Sequence, residues 1–194
     1  MGYGLIVRGS NPRGETSKKI RKEGNAMDKI FVISDTHFGH KNVIQYCRPD
    51  FKSVEEMDET LIKNWNETID NDDTVFFLGD FALTSIEKLI EIGNKLNGKK
   101  ILVRGNHDRA SDTVFKKAGF ESIFKKPLIM SFDKFDITIE FSHAPDEGAV
   151  YPNIYGHMHE KDTNDKTHFC VCPEVNNYKP VLLDDIVKYF KEQE

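Results

Sequence analysis

Five short clusters of aspartate, histidine and asparagine stand directly after apolar runs of the sequence. They are Asp35 with His37, Asp80, Asn106 with His107 and Asp108, His143, and His157 with His159. Carboxylate, amide and imidazole ligands without cysteine are typical of sites for Mn, Fe, Zn, Co or Ni. Side chains two positions apart point the same way along an extended chain, so Asp35/His37 and His157/His159 could each grip an ion. The whole set has enough ligands for two ions if one carboxylate is shared.

The apolar runs before these clusters predict the elements that position them. Three runs are typical of buried strands that end in polar residues: Lys29–Ser34, Asp73–Asp80 and Lys99–Asp108. Ser53–Ile69 predicts a helix, because Ser53 can cap it and Glu56 completes a capping box. Ligand sites form at strand ends in α/β proteins. We therefore expect an α/β layered fold, with β-α units first and a β-rich second half.

The clusters also form an ordered set of motifs. They read D-x-H at 35–37, G-D at 79–80, G-N-H-D at 105–108, a lone histidine in "SHAP" at 143, and G-H-x-H at 156–159. In this order the chain resembles the calcineurin-like metallophosphoesterase superfamily. The motifs spread over about 125 of the 194 residues. One D-x-H alone would be weak evidence, whereas the full series in order is specific.

The resemblance implies an α-β-β-α sandwich of four layers, with two facing mixed sheets flanked by helices, and a centre of two divalent ions. One ion would take Asp35, His37, Asp80 and His159, and the other would take Asp80, Asn106, His143 and His157, so that Asp80 bridges them. His107 would face the substrate and protonate the leaving oxygen as a general acid, while a hydroxide that bridges the ions attacks phosphorus. We expect Mn as the metal, with Fe, Zn, Ni or Co as alternatives.

Four further roles stay open at this stage. Asp108 either orients the imidazole of His107 as a second catalytic residue or ties down its own loop. Asn106 could touch a phosphoryl oxygen as well as a metal, and His40 either lines the substrate site or serves a structural role. Arg104 either binds phosphate through its forked donors or pairs with an acid.

Composition limits the partners. The net charge is −5, and residues 1–26 carry six basic against two acidic side chains, so +4 there leaves −5 − 4 = −9 for the remainder. We expect a flexible basic extension over 1–26 and one domain over 27–194.

No apolar run approaches the roughly 20 residues that span a bilayer. Three cysteines do not make a disulfide framework, and we expect a cytoplasmic protein without membrane contact.

Three functions compete on this basis. The leading hypothesis is a phosphoesterase that cleaves a phosphodiester or small nucleotide in preference to a monoester. The second is a nuclease acting on DNA or RNA, which the acidic domain disfavours because binding phosphates needs Lys and Arg. The third is a non-catalytic interaction module, which would be free to lose its ligands, although every expected ligand position is filled here.

Overall fold

The computed structural model describes residues 4–5, 28–161 and 164–193. The predicted flexible extension over 1–26 therefore lies outside the described residues, apart from residues 4 and 5. The strands are β1 (Gly4–Leu5), β2 (Ile30–Ile33), β3 (Thr74–Phe77), β4 (Lys99–Val103), β5 (Phe120–Phe124), β6 (Leu128–Phe132), β7 (Ile137–Phe141), β8 (Asn153–Tyr155), β9 (His168–Cys170) and β10 (Val181–Leu182). The helices are α1 (Lys41–Cys47), α2 (Val54–Thr68), α3 (Ile86–Lys95), α4 (Asp112–Lys117) and α5 (Leu183–Glu192), with a 3₁₀ turn at Pro173–Val175.

Two five-stranded sheets form the frame. The first has the order β10-β2-β3-β4-β5, in which β2 to β5 are parallel and β10 is antiparallel. The second has the order β1-β6-β7-β8-β9, in which β7, β8 and β9 are parallel. Both sheets are mixed and helices flank them, so the predicted α/β fold is confirmed.

Alternation along the strands of the first sheet divides the core into two clusters. In β2, Phe31 and Ile33 pack with helices α2, α3 and α4, whereas Ile30 and Val32 pack against the second sheet. Successive side chains of a strand point to opposite faces, so one short run serves both layers. The lone tryptophan, Trp65 of α2, lies in the helix-facing cluster with 1% of its surface exposed.

Helix α2 matches the predicted helix within one residue at each end. The Ser53 hydroxyl accepts from the backbone N–H of Glu56 at 3.1 Å, and the Glu56 carboxylate accepts from the N–H of Lys52 at 2.9 Å. The first bond satisfies an N–H group that the first helical turn leaves free, and the second ties the residue before the cap to the helix. Within residues 28–161 and 164–193, no helix is long and apolar enough to cross a membrane.

Candidate metal centre

The five clusters lie at the carboxyl ends of parallel strands in both sheets. In the first sheet, the loops after β2, β3 and β4 carry Asp35 with His37, Asp80, and Asn106 with His107. In the second sheet, the loops after β7 and β8 carry His143 and the His157/His159 pair. A direct bond joins the two sides, because the N–H of His157 donates to Asp35 Oδ2 at 2.7 Å. Both sheets therefore contribute side chains to one site.

Asp35, His37 and His159 form the first group. Each contributes a ligand atom within 4.8 Å of the other two. His37 Nε2 lies 3.7 Å from Asp35 Oδ1. That separation is too long for a hydrogen bond, and it falls in the roughly 3 to 4 Å range expected for two ligands of one ion.

Asp80, His143 and His157 form the second group, with the same closeness of ligand atoms. His143 Nε2 lies 3.5 Å from Asp80 Oδ2 and 3.1 Å from His157 Nδ1. Asn106 joins them, because its Oδ1 lies 2.9 Å from His143 Nε2. The structure thus gathers every residue expected at the second ion.

Asp80 stands between the two groups. Its Oδ1 accepts from the N–H of His107 at 2.8 Å. Its Oδ2 lies 3.7 Å from His37 Nε2 on one side and 3.5 Å from His143 Nε2 on the other. One carboxylate oxygen therefore faces both groups, as a bridging ligand would.

The buried groups of the first set fit a cation. Asp35 is fully buried, and its Oδ1 has no hydrogen-bond partner among the described residues. Burial raises the pKa of this carboxyl, and a buried carboxylate without a counter-charge is costly. Burial, aided by the neighbouring imidazole of His159, lowers the pKa of His37 to about 2. His37 is therefore neutral at physiological pH, which is the form that binds metal.

Backbone conformation at these positions is unusual. Five of the expected ligands have positive φ: Asp35 (47°), His37 (48°), Asp80 (58°), His157 (70°) and His159 (52°). The left-handed region costs a residue with a Cβ roughly 1 to 2 kcal/mol. Such conformations cluster at functional sites, where the surrounding structure enforces them.

Close packing of the loops is what enforces them here. A Cβ on Gly79 would lie 2.3 Å from the backbone nitrogen of Gly105, and a Cβ on Gly156 would lie 2.3 Å from Asp35 Oδ2. The ligand loops therefore approach each other at distances that only glycine permits.

His107 lies at the open side of the centre. Its side chain is 37% exposed, and its Nε2 lies 4.0 Å from Asp80 Oδ2. Its ring centroid is 5.6 Å from that of His37. His107 thus reaches the two groups without being enclosed by them, as a residue that faces substrate would.

Asp108 takes the loop-fixing role rather than the orienting one. Its carboxylate accepts from the backbone N–H groups of Asp80 (2.8 Å), Phe81 (3.0 Å) and Gly105 (2.9 Å). The described hydrogen bonds include none from Asp108 to the His107 imidazole. Burial raises the pKa of the Asp108 carboxyl, and the three donors stabilise its charged form. Asp108 therefore clamps the loop after β3 to the loop after β4.

The two further substrate candidates differ in placement. The His40 ring lies 5.4 Å from that of His37 and 6.4 Å from that of His107, so His40 borders the centre. Arg104 instead pairs with Asp112 at 2.6 Å and stacks its guanidinium on Phe115 at 4.9 Å. Pairing with an acid was the alternative interpretation of Arg104, and phosphate binding by it stays a prediction.

Arg48 and Glu174 support the first group, and sequence reasoning missed both. Glu174 Oε1 accepts from His159 Nδ1 at 2.9 Å and from Arg48 Nε at 2.8 Å. Burial is the largest single influence and works against charge on His159, but the hydrogen bond and the charge of Glu174, together with the charge of Asp35, raise the His159 pKa. Burial also opposes charge on Glu174, yet His159 and Arg48 hold the pKa of Glu174 below its ordinary value. Arg48 and Glu174 are 126 residues apart in the sequence, so no local spacing indicates that they pair.

Comparisons with known families, proteins and solved structures each found similar proteins. A sequence profile described as calcineurin-like phosphoesterase matches residues 28–190. An uncharacterized protein of Methanocaldococcus jannaschii is 39% identical over 176 residues, covering 86% of this chain and 94% of that protein. The gene 66 protein of Mycobacterium phage L5 is 38% identical over 85 residues, which are 42% of this chain and 41% of that protein. A crystal structure of an Aquifex aeolicus protein of unknown function superposes with a TM-score of 0.67 at 28% identity, over 83% of this chain and 98% of that one.

Proposed function

Because this chain belongs to the calcineurin-like phosphoesterase family, we propose that it is a metal-dependent phosphoesterase that hydrolyses a phosphodiester. The observation that carries this proposal is the position of Asp80 Oδ2, 3.7 Å from His37 Nε2 and 3.5 Å from His143 Nε2. A carboxylate shared by two ligand groups is the arrangement that a pair of ions needs.

Two divalent ions would be held by the two groups with Asp80 in common. One would take Asp35, His37, Asp80 and His159, and the other would take Asp80, Asn106, His143 and His157. Such a pair neutralises the charge of phosphoryl oxygens and lowers the pKa of water towards neutrality. Oxygen and imidazole ligands without thiolate suit Mn, Fe, Zn, Co or Ni, and among these we propose Mn²⁺ as the first to test.

His107 supplies the proton in this proposal. Hydrolysis breaks the bond from phosphorus to the leaving oxygen, which must be protonated as it departs. Nε2 of His107 can deliver that proton, because the hydrogen bonds of the described residues include none to its imidazole and its distance of 4.0 Å from Asp80 Oδ2 is too long for one. Asn106 and His40 lie beside the centre, and in this proposal they contact phosphoryl oxygens.

A small diester or nucleotide suits this site better than a long nucleic acid. Asn106 and His157 are exposed and His107 is 37% exposed, so both ester arms of a diester have room. The net charge of −5 provides no general attraction for DNA or RNA. We further propose a cytoplasmic location, in keeping with the free thiols of Cys47, Cys170 and Cys172.

The test is hydrolysis of bis-p-nitrophenyl phosphate against p-nitrophenyl phosphate, after chelation and again after addition of Mn²⁺. We expect cleavage of the diester that depends on Mn²⁺ and exceeds cleavage of the monoester. On a diester with a poor leaving group, whose oxygen must be protonated as it departs, His107→Ala should lower kcat by about 10² to 10⁴ while the metal content stays near that of the wild type. Asp80→Ala should lose metal and activity together.

His168→Ala is the matched control, since His168 pairs with Asp165 outside both ligand groups. Full activity of His107→Ala on a diester with a poor leaving group would remove the proposed acid. Failure of the purified protein to bind any divalent ion would favour the non-catalytic interaction module.

A further inference from the structure

A cavity of about 540 Å³ adjoins His107, and none of the proposed metal ligands lines it. It lies between the loop after β3, with the start of α3, and the loop after β4, with α4. Leu89 and Phe115, both buried, form part of its wall. Ligand pockets of small-molecule enzymes have volumes of about 300 to 1,000 Å³, so this cavity can hold a ring system.

Exposed apolar side chains converge on this cavity. The described residues include four large exposed hydrophobics: Tyr46, Leu83, Ile86 and Val150. Two of them, Leu83 (38% exposed) and Ile86 (51%), line the cavity beside His107. Scattered exposed apolar residues are ordinary, but a cluster next to a reactive group marks a ligand site.

We propose that this cavity binds the leaving group of the diester, and that this group carries an aromatic ring. The inference rests on the proposed function, in which His107 protonates the leaving oxygen. His107 Nε2 lies 4.0 Å from Asp80 Oδ2 of the metal groups, and His107 also forms part of the cavity wall. The atoms bonded to an oxygen that receives the His107 proton therefore extend into the cavity.

The polar groups of the cavity suit an aromatic occupant. Arg109 is exposed at its lining and has no ion pair among the described residues. A guanidinium stacks on aromatic faces, whereas Asp108 is fully engaged by backbone donors. Aryl esters and esters of nucleobase-bearing alcohols are the substrate class that this combination selects. Water supplies the new oxygen on phosphorus, and the ring departs as its protonated alcohol.

Two diesters with the same leaving group separate this cavity from a site for the retained group. Bis-p-nitrophenyl phosphate and methyl p-nitrophenyl phosphate both release p-nitrophenol, but only the first retains an aromatic ring. The variants Ile86→Asn and Leu83→Asn make the cavity polar without adding charge. We expect each to raise KM about five- to tenfold for both diesters, with kcat unchanged, because uniform binding is lost.

Val150→Asn, at an apolar position that is 87% exposed and outside the cavity lining, is the matched control. A rise in KM for bis-p-nitrophenyl phosphate alone would mean that the cavity holds the retained group, and would overturn the proposal. Unchanged KM for both diesters in both variants would overturn it as well, while leaving the phosphodiesterase intact. Absence of wild-type hydrolysis of either diester would instead remove the proposed function itself.

Discussion

The guanidinium of Arg48 donates a 2.6 Å hydrogen bond to the backbone carbonyl of Asp35. Arg48 is fully buried, and it also donates to the carbonyl of Thr36 at 2.8 Å and to the carboxylate of Glu174 at 2.8 Å. One side chain therefore fixes the backbone of the first D-x-H turn and, through Glu174, the imidazole of His159. Arg48 therefore supports two members of the first ligand group, Asp35 directly and His159 through Glu174.

Replacing Arg48 should destabilise the whole protein. Arg48→Met keeps much of the apolar stem but leaves the Glu174 carboxylate and two carbonyls buried without this donor. Breaking a buried pair by removing one partner typically costs about 3 to 5 kcal/mol. Urea unfolding of the metal-free protein measures the change, with the exposed Arg109→Met as the control. A loss below about 1 kcal/mol would contradict the role that we give to Arg48.

Glu174 should control how tightly the first ligand group binds metal. Carboxylates that bond to the second nitrogen of a ligating histidine fix its tautomer, and their loss typically costs 10- to 100-fold in metal affinity. In Glu174→Ala we expect metal affinity to fall by this factor at one of the two sites. In Glu174→Gln we expect a smaller fall in affinity, because the amide oxygen can still accept from His159 Nδ1. Calorimetric titration with Mn²⁺ measures both, and Glu67→Gln on the surface of α2 serves as control. Equal Mn²⁺ affinities in all variants would contradict the role of Glu174 in supporting the first ligand group.

Gly156 should be irreplaceable for geometric reasons. An added methyl group would lie 2.3 Å from Asp35 Oδ2 and 2.4 Å from Ser34 Oγ, so Gly156→Ala must displace the Asp35 carboxylate. We expect the variant to lose at least one bound ion, as counted by elemental analysis. Gly148→Ala is the matched control, because its methyl group would meet nothing closer than Asp146 Oδ1 at 3.4 Å. Full metal content in Gly156→Ala would show that the loop can accommodate the methyl group without displacing the Asp35 carboxylate.

Asp58 should make stability depend on pH. Its Oδ1 accepts from the N–H of Gly39 at 3.0 Å, yet burial raises the pKa of this carboxyl from 3.8 to about 6. The folded state therefore favours the protonated form, so the contribution of Asp58 is fully present below pH 3.8 and is lost as the pH rises through about 6. Asp58→Asn should gain about 1 kcal/mol at pH 8, after allowance for solvent screening.

That gain should shrink towards pH 4, and melting curves of both proteins at the two pH values would show it. Asp72→Asn, at a side chain that is 82% exposed, is the surface control. A gain of equal size at both pH values would assign the effect to packing rather than to ionisation.

Local pattern was enough to predict the three strands that precede the first three clusters. β2, β3 and β4 each lie inside a predicted strand, because a short apolar run with β-branched or aromatic residues has few alternatives when polar residues end it. Helix α2 was readable from its cap and its apolar face. The expectation that the clusters lie close together followed from parallel strands, whose carboxyl ends meet at one edge of a sheet.

Helix α1 and strand β5 are among the elements that escaped prediction, because their signals are short. Helix α1 has seven residues, of which only Val43 is buried, so it shows no apolar stripe. Strand β5 pairs with β4 through a register shift between Lys100 and Ile101, and such irregularities depend on the neighbouring strand. The support of His159 by Glu174 and Arg48, like the cavity beside His107, arises only when distant segments fold together.

The residues that we propose as ligands come from both sheets, and the last of them, His159, relies on Glu174, which follows it in the sequence. A ribosome delivers this chain from its amino terminus. Asp35 and Asp80 therefore emerge long before the histidines of the second sheet, and the carboxylate that orients His159 emerges later still. During synthesis the segment through Asp80 can present carboxylates and His37 but no complete ligand group, so the centre is assembled only after the histidines of the second sheet and Glu174 have been made.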